Sequence, residues 1–314
     1  MKKLILVLLG VSLLQLQLIA QSRTIIFQFD PVSTSVVSDV AAMENNISKL
    51  LSAINVAYID GKPLSFSGIR IDSTAQKSLN LLWENMHFYC TDDINVSRCL
   101  RDFQGIQVRD ISIILKPVAE YEDSLELDRE LAVSLTRDGV ITGVRMELSN
   151  NQYKSIMNDG RTVTDFRERL EILKYVEEMM ISYLSKNIEA LTTIYSDSAL
   201  IVENGLMHAS KTDRNVPYNE KKGRYLDNLK ELFNRGTFVE VHFDRISIVR
   251  HHAKRQYIGA TLHQTVKDNS QLDGWLFMLW DFEKTDHPVI HVHTWQFDED
   301  AEKDGVMDLW DFFL

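Results

Sequence analysis

The chain has 314 residues, 45% hydrophobic and 25% charged, with a net charge of −11. That composition supplies apolar material for about two globular domains. It holds no GxGxxG and no GxxxxGK[ST] run, which speaks against a common nucleotide cradle, and its acidity disfavours binding to nucleic-acid phosphates.

Met1–Ala20 reads as a secretory signal peptide: Lys2 and Lys3, an apolar run, then small Ala20 before the expected cut. The competing reading is a membrane anchor, but the run is short and interrupted by Gln15 and Gln17. Cleavage takes the charge from −11 to −13, and no stable membrane insertion is expected afterwards. The mature chain is expected to be periplasmic or secreted. Cys90 and Cys99 are the two cysteines, and an even count in an exported chain predicts a disulfide worth about 2–3 kcal/mol. The alternative is a pair of reduced, buried thiols.

Residues 21–157 read as a smaller α+β domain. TIIFQF is an edge strand or arm, and Ser38–Asp60 has helical spacing stopped by Gly61 and Pro63. Ser65–Ile71 reads as a short strand, and Ser73 opens a second helix. Gln107–Leu115 is a strand, and Glu130–Leu148 a hairpin about Arg137-Asp138-Gly139. The polar stretch Asn150–Val163 marks a boundary.

Residues 158–298 read as the second domain, and 299–314 as an acidic then apolar tail. Asp165 caps the strongest helix, with Phe166, Leu170, Leu173, Val176, Met180 and Leu184 on one face. A short helix at Ile188–Tyr195, a strand at Asp197–Val202, a loop or lid at Glu203–Lys222 and a helix at Arg224–Asn234 follow. Four strands close the chain: Phe238–Arg250, Tyr257–Lys267, Gly274–Glu283 and Val289–Phe297. Asp244-Arg245 breaks the alternation of the first and predicts a β-bulge. Alternation puts His291, His293 and Trp295 on one face of the last strand.

This order of elements resembles the nuclear transport factor 2-like, or SnoaL-like, fold. The resemblance is carried by FRERLEILKYVEEMMISYLSKNIEALTTIYSDSALIV and by GWLFMLWDF with VIHVHTWQF, and covers about Thr164–Phe297. The whole chain is also similar to exported Bacteroidetes proteins. The resemblance implies an α+β fold, a cystatin-like roll: a cone-shaped curved antiparallel sheet with three helices, preceded by the smaller α+β domain. It also implies a pocket inside the cone and a homodimer through the outer sheet face. No catalytic set transfers by motif.

The residues themselves offer Asp281 and His291, with His263 beside them, as an acid/base group. Tyr183, Tyr195, Trp280, His293 and Trp295 are candidate pocket residues; the competing reading is core packing. Strand histidines alone are weak metal ligands, so no metal and no cofactor is expected. The leading expectation is a non-catalytic module binding a small apolar ligand or a protein partner. The alternative is a pocket enzyme of the isomerase or dehydratase type.

Overall fold

The computed structural model describes residues 23–31, 39–118, 126–159, 162–203, 218–235, 239–267, 271–283 and 288–312. The segment read as a signal peptide, the 204–217 part of the stretch read as a loop or lid and residues 284–287 lie outside these residues.

The first region contains β1 (Phe27–Phe29), α1 (Val40–Asp60), α2 (Ser73–Asn85), β2 (Met86–Tyr89), β3 (Ile94–Val96), β4 (Cys99–Arg101), β5 (Ile106–Pro117), β6 (Leu127–Leu135) and β7 (Ile141–Met146). Asp39 caps α1 through the Ala42 N–H, and Gly61 ends it in the left-handed conformation. Asp72, one residue before the expected start, caps α2 through Ala75 N–H at 2.7 Å. β1 pairs in parallel with β3, while the main sheet runs β2-β5-β6-β7 with β4 also on β5. The expected strand at Ser65–Ile71 is reduced to one bridge between Ile71 and Ile141. The β6–β7 hairpin turns at Gly139, whose φ of 84° suits glycine.

The polar boundary stretch folds as a helix, α3 (Asn150–Asp159). Then come α4 (Phe166–Leu184), α5 (Ile188–Ile194), β8 (Tyr195–Glu203), α6 (Tyr218–Asn234), β9 (Glu240–Arg250), β10 (Tyr257–Lys267), β11 (Gln271–Asp281), β12 (Val289–Phe297) and α7 (Asp298–Asp304), with a 3-10 turn at Leu309–Phe312. Asp165 caps α4 by accepting from Arg167 N–H at 2.9 Å. Asn187 caps α5 through Ala190 N–H at 3.0 Å. The second sheet runs β8-β12-β11-β10-β9, antiparallel except for the parallel β12–β8 pair. The bulge expected at Asp244-Arg245 is present, with Arg245 at φ 47° and a register shift opposite Thr261/His263.

α4 is the hub. It packs on β7 of the first sheet, on β9 of the second, and on α2, α3 and α5. One buried cluster runs through both regions, from Ile25 and Ile47 to Met278, Trp280 and Ile290. β11 is covered on both faces, as its uninterrupted apolar run requires. Leu276, Met278 and Trp280 face the helices, whereas Phe277 and Leu279 join Val292 and Leu309 in a separate outer cluster. Phe312 stacks on Phe277 at 5.2 Å, so the chain's own C-terminal turn covers this part of the outer face. Among the described residues no helix is long and apolar enough to cross a membrane.

The expected disulfide is absent: Cys90 and Cys99 are free thiols. Strand register explains this. Tyr89, the neighbour of Cys90, pairs with Ile114, while Cys99 pairs with Val108. Those β5 positions lie roughly 20 Å apart along a strand, and a disulfide needs Cα atoms within about 7 Å. Asn55 also fixes Cys90 in the core, donating to its carbonyl at 2.8 Å and accepting from its N–H at 2.9 Å. Burial pushes both thiols up to about 12.

Candidate ligand-binding site

Of the residues proposed for acid/base work, Asp281 and His291 lie at the same end of the β11–β12 pair without a hydrogen bond between them, and His263 lies six residues along β11 from Asp281. Asp281 ends β11, between Tyr257 and Val289, and its carboxylate accepts from Glu283 N–H at 2.8 Å. His291 sits in a bulge: Trp280 pairs with Ile290 and Leu279 with Val292, so His291 has no partner across β11. The bulge also corrects the expected face, because alternation restarts after His291. His293 then faces Met278 and Trp295 faces Leu276, both on the helix-covered side. His263 is on the outer side. It pairs with Trp275, its Nδ1 lies 2.8 Å from Asp244 and its Nε2 3.2 Å from Asp298. Arg245 stacks over Trp275 at 4.7 Å beside it.

Four of the proposed pocket residues belong to the interior of the second sheet, and the fifth joins them through a residue not foreseen. Tyr195 Oη lies 2.9 Å from His293 Nδ1, and Tyr183 Oη lies 3.1 Å from Tyr225 Oη. The Tyr225 ring packs 5.2 Å from His293 and 5.8 Å from Tyr195. Lys222 fastens α6 over this cluster, donating to the Tyr195 carbonyl at 3.0 Å. Burial pushes His293 down to about 3, so the imidazole is neutral at ordinary pH. Trp280 is 0% exposed, and its Nε1 and that of Trp295 have no hydrogen-bond partner among the described residues. Tyr225 was readable in principle, since it shares a helical stripe with Leu229 and Phe233. The cluster is a packed aromatic core with one neutral histidine.

A cleft of about 420 Å³ opens beside α4. It is walled by Thr74, Lys77 and Ser78 of α2, by Lys174, Tyr175 and Glu178 of α4, and by the α5 segment with Val289. Its size falls in the range of small-molecule sites. Ala190, Ile194, Val289 and the Tyr175 ring give it an apolar floor. Tyr175 is held in place by donating its hydroxyl to the Pro288 carbonyl and packing on Trp280 at 6.2 Å. Burial also pushes the Tyr175 phenol up. Lys77 pairs with Glu189 across the mouth, linking α2 to α5. Glu178 lines the cleft and has no hydrogen-bond or ion-pair partner among the described residues. Burial pushes its carboxyl above the ordinary 4.5, while Arg145 and Lys174 pull the other way.

A second cleft of about 370 Å³ lies beside Glu130, Glu147 and His242. Asp110, Glu130 and Glu147 place carboxylate oxygens within 4.8 Å of one another. Their charge is already met by Arg98, 3.4 Å from Asp110, and Arg109, 3.1 Å from Glu147, so the donor set is poorly suited to a cation.

No protein-family model matches the chain, and no curated protein does. Solved structures do match. Aln2 from a Streptomyces species aligns over 45% of this chain and 98% of its own, at 8% identity and a TM-score of 0.35. An NTF2-like protein from Cytophaga hutchinsonii aligns over 41% and 98%, at 12% identity and 0.30. An LEH-like epoxide hydrolase from M. tuberculosis aligns over 44% and 90%, at 13% identity and 0.29. The C-terminal half runs α4, α5, β8, α6, then the four-strand meander with β8 on its edge, the element order that carried the resemblance to the nuclear transport factor 2-like fold. These aligned structures include an enzyme and a protein described only by its fold.

Proposed function

We propose that this chain is an exported, non-catalytic module that binds a small, largely apolar ligand in the cleft between α2, α4 and α5. One observation carries the reading. A 420 Å³ opening with an apolar floor and a polar rim is built from both regions of the chain, at the helix that joins them. A ligand there would bridge α2 of the first region to α4 and α5 of the second. Binding is favoured over catalysis because, among the described residues, no hydrogen bond joins Asp281 to His291, His263 lies six residues along the ladder from Asp281 and is turned to Asp244, and His293 is packed in an aromatic core.

The test is a cleft-filling variant. Ala190→Trp places an indole in the opening and is expected to abolish uptake of small aromatic probes, read by calorimetry, with the circular dichroism spectrum unchanged. Equal uptake by the variant contradicts the reading. An acid/base enzyme is the second reading, favoured by Glu178, whose raised carboxyl matches a general acid. In that case Glu178→Gln stops turnover of a bound substrate without weakening its binding; a variant that turns over normally removes it.

A further inference from the structure

The ligand's chemistry can be narrowed from the charges around the cleft, taking that cleft as the binding site. Its cations are committed elsewhere. Lys77 is paired with Glu189. Lys174 stands four residues before Glu178, the spacing at which a helical pair forms, yet its ammonium donates to Gln104 at 3.0 Å and lies 3.7 Å from Glu171. Arg145 is turned to Ser134 at 2.9 Å and to Glu177 at 3.8 Å. Glu178 is left facing the opening without a counter-charge of its own. Beside it stand the Tyr175 ring and the aliphatic groups of Ile194 and Val289.

A half-buried carboxylate without an ion-pair partner, next to an aromatic wall, selects for positive charge. The carboxylate supplies a charge-assisted hydrogen bond, and the ring face attracts the same cation. An anion would meet Glu178 and be rejected, and a neutral ligand would leave the carboxylate buried and unpaired. We infer that the cleft takes a small organic cation, an ammonium head on an apolar body, with Glu178 as its counter-ion and Tyr175 as its aromatic wall. Thr74, Ser78 and Thr193 on the rim supply hydroxyls to remaining polar atoms of the ligand.

Three probes of one shape test this: benzylamine, benzyl alcohol and benzoate, titrated calorimetrically into the purified protein at pH 8. The amine is expected to bind at least tenfold more tightly than the alcohol, and benzoate not measurably. Glu178→Gln is expected to bring the amine down to the level of the alcohol, and Ala190→Trp to abolish both. Amine and alcohol binding alike in the native protein overturns the inference and leaves the cleft as the site, an outcome that needs no folded variant. If none of the three binds, or if binding survives Ala190→Trp, the cleft itself is overturned as the site.

Discussion

Glu177 and Glu178 are neighbours on one helix and have opposite surroundings. Glu177 is fully buried where α4 crosses the first sheet, and both its oxygens bond the Arg109 guanidinium, one of them at 3.0 Å. It also accepts from Leu148 N–H at 3.1 Å, and Glu147 completes the group at 3.1 Å from Arg109. A bulge in β5, where Val108 pairs with Val133 and Ile111 with Leu131, gives Arg109 its position. About 100° further round the helix, Glu178 lines a cleft and has no hydrogen bond or ion pair among the described residues, only the more distant pull of Arg145 and Lys174. One face of α4 is fastened by charge and the other holds a charge in reserve. A carboxylate with its partners built in is structural, whereas one left without them is available to a ligand.

The contrast predicts a large asymmetry. Glu177→Gln takes the main carboxylate from a buried guanidinium, leaving it Glu147 alone, and is expected to cost about 3 kcal/mol in urea unfolding. Replacing Arg109 and Glu177 together by leucine is expected to cost less than the sum of the two single changes, since their mutual interaction is lost only once, while Glu147 and Arg145 each lose one partner. Additive losses would mean that the pair is not the fastening described.

The next effect concerns the aromatic core rather than α4. His293 is held neutral in the folded state, below its unfolded value of 6.5. Between those values the unfolded chain binds the extra proton. Stability is therefore complete above pH 6.5 and falls toward pH 3 by about 1.4 kcal/mol per pH unit. His293→Phe is expected to flatten that slope; an unchanged acid profile contradicts it. Tyr195→Phe removes one hydrogen bond and is expected to cost about 1 kcal/mol in the same unfolding experiment.

Glu178→Gln should show the smallest effect, with the opposite sign. A carboxyl raised in the folded state favours folding below its unfolded value and loses that contribution as pH rises through its folded value. The variant is therefore at least as stable as the native chain at pH 8, by less than about 1 kcal/mol for a partly exposed group, and the gain disappears near pH 4. A clear loss at pH 8 would make Glu178 structural and erase the contrast with Glu177.

Much of the fold was legible in the sequence because its signals are local. Asp165 and Asn187 sit where caps are needed, the apolar stripe of α4 repeats at helical spacing, and Asp244-Arg245 interrupts an alternating strand. The bulge at His291 was not legible, since VIHVHTWQF alternates cleanly and only pairing with Trp280 and Leu279 displaces one residue. The free cysteines escaped because the expectation rested on an even count in an exported chain, whereas only the β5 ladder shows that the two residues are held apart. Arg109 and Glu177 are 68 positions apart, so nothing local joins them. Glu178 reads as an ordinary solvated helix residue until α2 and α5 are placed around it.

The most direct measurement is the carbon-13 titration of the Glu178 carboxyl, assigned by its loss in Glu178→Gln, with and without benzylamine. The account predicts a midpoint above the ordinary glutamate value that falls when the amine binds, because the cation favours the ionised form. An ordinary midpoint, unmoved by the amine, would show a solvated carboxylate and contradict the claim that this face of α4 is kept open for a ligand.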